Sequence, residues 1–335
     1  MSYSSLDFNN KTILITGGAG FIGSNLVFYF QNNYPKSHIV VFDCFRSDAI
    51  FANGNLCSFG HYNNLLGFNG DIICGNINNK DDLTLLGNYK FDYIFHQAAI
   101  SDTRVNDQEV VMQTNVNSFY FFLEVAKKDE AILVYASSAA TYGSLPSPQT
   151  VGNEKPENPY GFSKYAMDQI AYRYIHNYPD MKIVGLRYFN VYGSKEFYKG
   201  KTSSMVLQLG LQILNGNQPR LFLGSDQYFR DFIDIEDVIQ ANIKACQTKK
   251  NGVYNVGTGE AKSFKDIVDL LQGTMGTNIE IKYFNNPYKN YQMHTQADIK
   301  TTQNYLDFQP TVTLAKGIKK YIPEMKHIHE NPIND

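Results

Sequence analysis

The chain has no tryptophan, and its 335 residues contain only four cysteines. Cys44, Cys57, Cys74 and Cys246 form no C-x-x-C pair. That excludes a zinc-type ligand spacing and a disulfide framework, so no metal site is expected and a reducing cytoplasm is the expected compartment. Charge of one sign is also lacking: the net charge is −2, with no long basic run. Nucleic acid is therefore not expected as a partner. No apolar stretch approaches the roughly 18 residues of a membrane span, and residues 1–7 lack the basic-then-apolar order of a secretory signal. What is present is a globular composition, 43% hydrophobic and 19% charged, in which 24 Tyr and 23 Phe replace the missing indoles in core and pockets.

Apolar runs at 12–16, 38–43, 71–75, 93–96, 132–137, 182–187 and 253–257 alternate with amphipathic stretches such as 20–32, 115–128 and 161–177. Most runs are apolar throughout, as strands covered on both faces are. Strand–helix–strand repetition predicts an α/β fold, a Rossmann-type doubly wound parallel sheet with helices on both faces. The regularity fades after about residue 187, where 193–202 and 215–230 read as loops. The expected division is a cofactor domain of residues 1–189 plus 230–273 and a smaller mixed α/β substrate lobe of residues 190–229 plus 274–335.

The segment Gly17-Gly18-Ala19-Gly20-Phe21-Ile22-Gly23 follows the first apolar run directly. Gly17 permits a tight turn, Gly20 lets backbone approach a pyrophosphate, and Gly23 lets the helix pack closely on the sheet. The helix start then offers N–H groups and a positive dipole end to phosphate. Asp43, closing the second strand, is placed to bond a ribose hydroxyl, which favours NAD; Arg46 could hold a 2′-phosphate, which favours NADP. Asn76 and Ile77, after the third strand, lie where adenine is usually read, and Gln97, Ala98 and Ala99 end the fourth strand beside the expected cofactor. His96 reads as a structural histidine.

A second signature is Tyr160-Gly161-Phe162-Ser163-Lys164, with Ser137-Ser138 upstream. Tyr160 and Lys164 share one helix face. A free phenol, with a pKa of about 10, is a poor base at neutral pH, and a nearby ammonium would lower it. Lys164 is expected to bond the nicotinamide ribose as well. Ser138 would hold the substrate hydroxyl while Tyr160 moves its proton and hydride passes to or from the nicotinamide.

Together these residues resemble the extended short-chain dehydrogenase/reductase family acting on nucleotide sugars, as do Arg187-Tyr188-Phe189-Asn190-Val191-Tyr192-Gly193 and Arg230-Asp231-Phe232-Ile233. The resemblance implies that Asn190 touches substrate and that Arg230 clamps its diphosphate. Where 4,6-dehydratases of the family carry Thr-Asp-Glu, this chain has Ser138-Ala139-Ala140, which cannot supply the extra acid and base of dehydration. Epimerisation or simple redox remains.

A narrower resemblance, to the ADP-L-glycero-D-manno-heptose 6-epimerases, rests on residues 135–143, on Arg187–Gly193 followed by Glu196-Phe197-Tyr198-Lys199, on Leu221-Phe222-Leu223-Gly224-Ser225, and on Thr295-Gln296-Ala297-Asp298. It implies bound NADP, an ADP-heptose substrate and a homo-oligomer, pentamers occurring among relatives. It also implies a second base, Lys199, opposing Tyr160 across the sugar. Such a lysine must be deprotonated near neutral pH by desolvation or by a cationic neighbour, for which Lys201 is the candidate. Further substrate positions implied are Ser101, Lys201, Gln208, Leu221, Phe222 and Tyr291, and Asn115 joins the cofactor set. Many relatives read Gly-Pro-Arg-Glu where this chain reads Gly193-Ser194-Lys195-Glu196, without the rigid proline and the guanidinium. A 4-epimerase or oxidoreductase on a UDP- or GDP-linked sugar stays open, as does a non-catalytic cofactor-binding scaffold, which would have no need of Ser138, Tyr160 and Lys164 together.

Overall fold

The computed structural model describes residues 3–286 and 292–331. Its centre is a seven-stranded sheet built from β1 (Thr12–Thr16), β2 (His38–Asp43), β3 (Asp71–Cys74), β4 (Tyr93–His96), β5 (Ile132–Ser138), β6 (Ile183–Tyr188) and, later in the chain, β10 (Gly252–Val256). The strand order is β10-β6-β5-β4-β1-β2-β3, and every neighbouring pair is parallel. The chain lays β1, β2 and β3 outward, then returns to place β4 against the other side of β1. That reversal opens a crevice at the carboxyl ends of β1 and β4, the usual ligand position of an open parallel sheet.

All seven expected strands form, with ends shifted by at most a residue or two. Their cores are buried because helices cover both faces. One layer includes α1 (Phe21–Asn33), whose Leu26, Val27 and Phe30 pack on Ile13, Ile15 and Val41. The opposite layer includes the short α2 (Lys80–Thr84), α3 (Gln108–Met112), α4 (Ser118–Asp129) and α5 (Pro159–Asn177), with Phe119, Phe122, Met167 and Ile170 against Leu14, Leu133 and Tyr135. β3 differs from the expectation of a strand covered on both faces: as the sheet edge it alternates half-buried and exposed residues. The stretch expected to be helical from 115 starts as α3 and passes through a π turn at Gln113–Asn117 before α4.

Beyond β6 the remaining elements are β7 (Asn190–Tyr192), α6 (Met205–Leu214), β8 (Arg220–Phe222), β9 (Phe229–Asp234), α7 (Ile235–Ala245), β11 (Ala261–Ser263), α8 (Phe264–Met275), β12 (Lys282–Phe284), α9 (Lys300–Leu306) and α10 (Leu314–Glu330). α7 returns to the α1 layer through Val238 and Ile239. A separate core joins α6, α8 and α10 through Leu207, Leu209, Leu271, Ile318 and Met325. The segment 215–230, read from sequence as loop, contains β8, which pairs in parallel with β12. Likewise β9 is the middle of a small sheet ordered β11-β9-β7. β7, β8, β11 and β12 have three residues each, too few for periodicity to register, and the partners of these strands lie far along the chain.

Candidate active site

The glycine turn has little room for any other residue. Gly17 has φ +68°, and a Cβ there would sit 2.8 Å from the Ala98 amide nitrogen. A Cβ on Gly23 would lie 2.1 Å from the Gly17 carbonyl oxygen. At Gly20 the nearest atom to a built Cβ is that same oxygen, at 3.2 Å. Gly20 starts α1 without any side-chain cap, so the backbone of Phe21, Ile22 and Gly23 presents the positive end of a 13-residue helix. A glycine cradle in front of an uncapped helix start fits a dinucleotide pyrophosphate.

Asp43 ends β2 beside this turn. Its carboxylate accepts from the backbone N–H groups of Ala19 (2.9 Å) and Phe45 (2.8 Å). Burial pushes its pKa up, and these amides oppose the rise. Arg46 donates to the Tyr198 carbonyl at 3.0 Å. At the end of β3, Asn76 is exposed and Ile77 buried. After β4, the Ala98 N–H donates to Thr16 Oγ1 (3.2 Å), and half-buried Ala99 follows. The Gln97 amide engages Asn242 (3.3 Å) and the Tyr188 hydroxyl (3.1 Å). Asn115, expected in the cofactor set, is fully buried in the π turn. It bonds both backbone groups of Ile100 and donates to Ser163 Oγ at 2.9 Å. Those bonds make it a strut between the β4 exit and α5.

α5 begins on Asn158, whose side chain accepts from the Gly161 N–H at 2.8 Å, with Pro159 in its first turn. This start puts Tyr160 at the helix mouth and Lys164 one turn deeper. Burial raises the Tyr160 phenol above its ordinary value, opposed by its hydrogen bond with Ser138. Ser138 Oγ also accepts from the Ala140 N–H at 3.1 Å. Lys164 is buried and donates to the Ala136 carbonyl (2.8 Å), and burial lowers its pKa to about 8, with Asp168 pulling the other way. The hydrogen bond that opposes the rise at Tyr160 comes from Ser138, while the Lys164 ammonium donates to the β5 backbone. His96 packs on Phe122, pairs with Thr16 Oγ1 at 2.9 Å, and is held neutral by burial, its pKa lowered to about 3.

Behind this pair lies a buried network that sequence reading missed. Asp168, one turn after Lys164, accepts from the Tyr135 hydroxyl (2.9 Å), Ser137 Oγ (3.0 Å) and Arg187 Nε (2.9 Å). Arg187 Nη1 reaches Glu154 at 2.5 Å. The available signal was an arginine inside an apolar strand, which demands a buried carboxylate.

The loop after β7 carries three lysines with different fates. Lys195 donates to the Asn64 carbonyl (2.8 Å). Lys199 Nζ stands 5.5 Å from the centre of the Phe21 ring, at the head of α1. Lys201 is exposed. Burial lowers the Lys199 pKa, and the buried Glu196 carboxylate opposes. Of the two sources expected, desolvation or a cationic neighbour such as Lys201, desolvation lowers it, and the charged group acting on Lys199 is the Glu196 anion.

Of the remaining positions, Asn190 donates to the Asp231 carbonyl (3.4 Å) and Gln208 to the Ser203 carbonyl (2.7 Å). Leu221 is buried, and Phe222 meets Phe284 edge-on at 4.9 Å. The Arg230 guanidinium donates to the carbonyls of Phe229 (2.8 Å) and Gln292 (2.5 Å). Ser101 is exposed, and Tyr291 lies outside the described residues.

The arrangement can cradle a dinucleotide and move a proton at Ser138–Tyr160. Comparisons with known proteins agree with that chemistry. A relative from Brachyspira hyodysenteriae named ADP-L-glycero-D-manno-heptose-6-epimerase is 36% identical over 315 residues, covering 92% of this chain and 96% of the relative. The crystal structure of Helicobacter pylori ADP-L-glycero-D-manno-heptose-6-epimerase is similar with a TM-score of 0.89 at 49% identity, covering 97% of this chain and 99% of that one. The UDP-glucose 4-epimerase of Thermotoga maritima, solved with UDP-glucose, is similar with a TM-score of 0.83 at 26% identity, covering 94% and 99%. Residues 13–257 match the NAD dependent epimerase/dehydratase family, from the first strand of the sheet to the last, and the chain belongs to that family.

Proposed function

We propose that this chain interconverts ADP-D-glycero-β-D-manno-heptose and ADP-L-glycero-β-D-manno-heptose by transient oxidation at C6″. It would do so with bound NADP, as a cytoplasmic homo-oligomer supplying lipopolysaccharide core sugar. The observation that carries the reading is Lys199, a half-buried lysine at the head of α1, in addition to the Ser138–Tyr160 pair. Inverting a carbinol through a ketone returns hydride to the opposite face, and each face needs its own acid/base. The names of the relatives from Brachyspira and Helicobacter support the same substrate.

In this reading Gly17, Gly20 and Gly23 with the start of α1 hold the pyrophosphate, Asp43 the adenosine ribose, Arg46 the 2′-phosphate, and Asn76 and Ile77 the adenine. Lys164 holds the nicotinamide ribose. The bound nicotinamide supplies the hydride acceptor and donor. Ser138 orients the C6″ hydroxyl, and Tyr160 takes its proton on one face of the sugar. The sugar turns, and Lys199 returns a proton on the other face. Arg230 binds the diphosphate, with Asn190 and Gln208 lining the sugar side.

The test is incubation of purified protein with ADP-D-glycero-β-D-manno-heptose, without added cofactor, and chromatographic separation of the epimers. Appearance of the L-glycero product is expected. No conversion, even after NADP is added, would overturn the heptose assignment.

A further inference from the structure

Tyr198 immediately precedes Lys199, and it is held at three points by the cofactor side of the molecule. Its ring stacks on His61 with centroids 3.6 Å apart and planes within 4°. Its hydroxyl accepts from Asn63 Nδ2 at 2.7 Å, and its carbonyl accepts from Arg46 at 3.0 Å. Three residues upstream, Lys195 ties the same loop to the Asn64 carbonyl at 2.8 Å.

The 61–64 turn is itself suspended from the glycine fingerprint. The His61 N–H and the Asn64 side-chain amide both donate to the Ala19 carbonyl, at 3.0 and 3.1 Å. The chain of contacts therefore runs from Ala19 through His61 to Tyr198, next to Lys199, and from Ala19 through Asn64 to Lys195 in the same loop. The other anchor of the loop is Glu196, which accepts from the Gly193 N–H (3.1 Å), the Ser204 N–H (2.7 Å) and Ser204 Oγ (2.8 Å). Gly200, at φ +52°, turns the chain back just past the lysine.

We infer that Tyr198 is a positioning residue: its clamp on His61, Asn63 and Arg46 fixes the backbone of Lys199 relative to the cofactor cradle, so that the ammonium meets the second face of the sugar. A lysine has four rotatable side-chain bonds and does not hold one position by itself. Without an anchor at its own backbone it would sample the crevice, and a misplacement of about 1 Å costs on the order of 100-fold in rate. The inference rests on the reading of Lys199 as the second base.

The experiment compares Tyr198→Ala, Tyr198→Phe and Lys199→Met, singly and as the Tyr198→Ala/Lys199→Met double variant. Readouts are kcat and KM for epimerisation, copurified NADP, and single-turnover hydride transfer followed by the absorbance of reduced nicotinamide. Tyr198→Ala is expected to lower kcat by about 10- to 100-fold, with KM and bound NADP little changed. Tyr198→Phe, which keeps the stack and the carbonyl, retains most turnover. The double variant shows the same residual hydride transfer as Lys199→Met alone, because a residue acting only through Lys199 has nothing left to position. A further loss in the double variant, or loss of bound NADP in Tyr198→Ala, overturns the inference. Full activity of Tyr198→Ala beside an inactive Lys199→Met overturns it while leaving the two-base reading intact. Full activity of Lys199→Met overturns the two-base reading and this inference with it. Should Tyr198→Ala fail to fold, His61→Leu removes the stack from the other side and is held to the same outcomes.

Discussion

Arg187 and Asp168 form an ion pair sealed from solvent, with Arg187 Nη2 2.8 Å from Asp168 Oδ2 and neither side chain exposed. The pair joins β6 to α5 one turn below Lys164, and Ser137 and Tyr135 complete the carboxylate's hydrogen bonds. Removing one member of such a pair leaves the other charged and buried. Asp168→Ala is expected to lower unfolding stability by roughly 3–5 kcal/mol, read from denaturant midpoints. A change within about 0.5 kcal/mol, the range of ordinary surface substitutions, would show that Glu154 alone satisfies the guanidinium.

The two proposed bases can be separated kinetically. Tyr160→Phe and Lys199→Met are each expected to abolish net epimerisation while leaving different half-reactions, since each serves one face of the sugar. General acid–base groups contribute about 100- to 10,000-fold, so the losses are large. Epimer-resolved single-turnover assays are the check, and equal loss of every partial reaction in both variants would count against the scheme.

Arg230→Ala is expected mainly to raise KM. A diphosphate is bound alike in ground and transition states, so its clamp adds uniform binding. In the structure the guanidinium rests on the carbonyls of Phe229 and Gln292. A pure kcat effect in steady-state kinetics would oppose the role.

Lys164 sets an alkaline limit. Burial lowers its pKa from 10.5 to about 8, so the ammonium proposed to hold the nicotinamide ribose is lost as pH rises through that value. Turnover is expected to fall above about pH 8 with a single-proton slope, and Lys164→Met should lack that limb. The stability sign is opposite. Between about 8 and 10.5 the unfolded chain binds more protons at this group than the folded one, so its contribution to stability rises with pH there. A pH–rate profile and parallel unfolding curves test both halves.

Gly23→Ala should fail at the cradle. The added methyl would fall 2.1 Å from the Gly17 carbonyl oxygen, a backbone atom that cannot yield without opening the turn. The expected result is a lowered Tm and loss of copurified nucleotide. Retention of both would show that the turn has slack that its geometry does not reveal.

The sheet was legible in the sequence because strands covered on both faces read as unbroken apolar runs. The glycine turn was legible because close backbone approach admits no other residue, and the Tyr160–Lys164 pair because i and i+4 share a helix face. These features are local, each set by the spacing of residues along a few turns of chain. The π turn around Asn115, the pairing of β8 with β12 and the Arg187–Asp168 seal were not legible. Each depends on which distant groups meet and how much water they exclude. Asn63 and Tyr198 are 135 positions apart, and nothing in the composition of either neighbourhood requires that they touch. Local sequence determined the strands, the cradle and the tyrosine–lysine pair. Tertiary packing alone decided where the loop lysine sits, because the backbone beside it is held by Arg46, His61 and Asn63, which lie far from it in the chain.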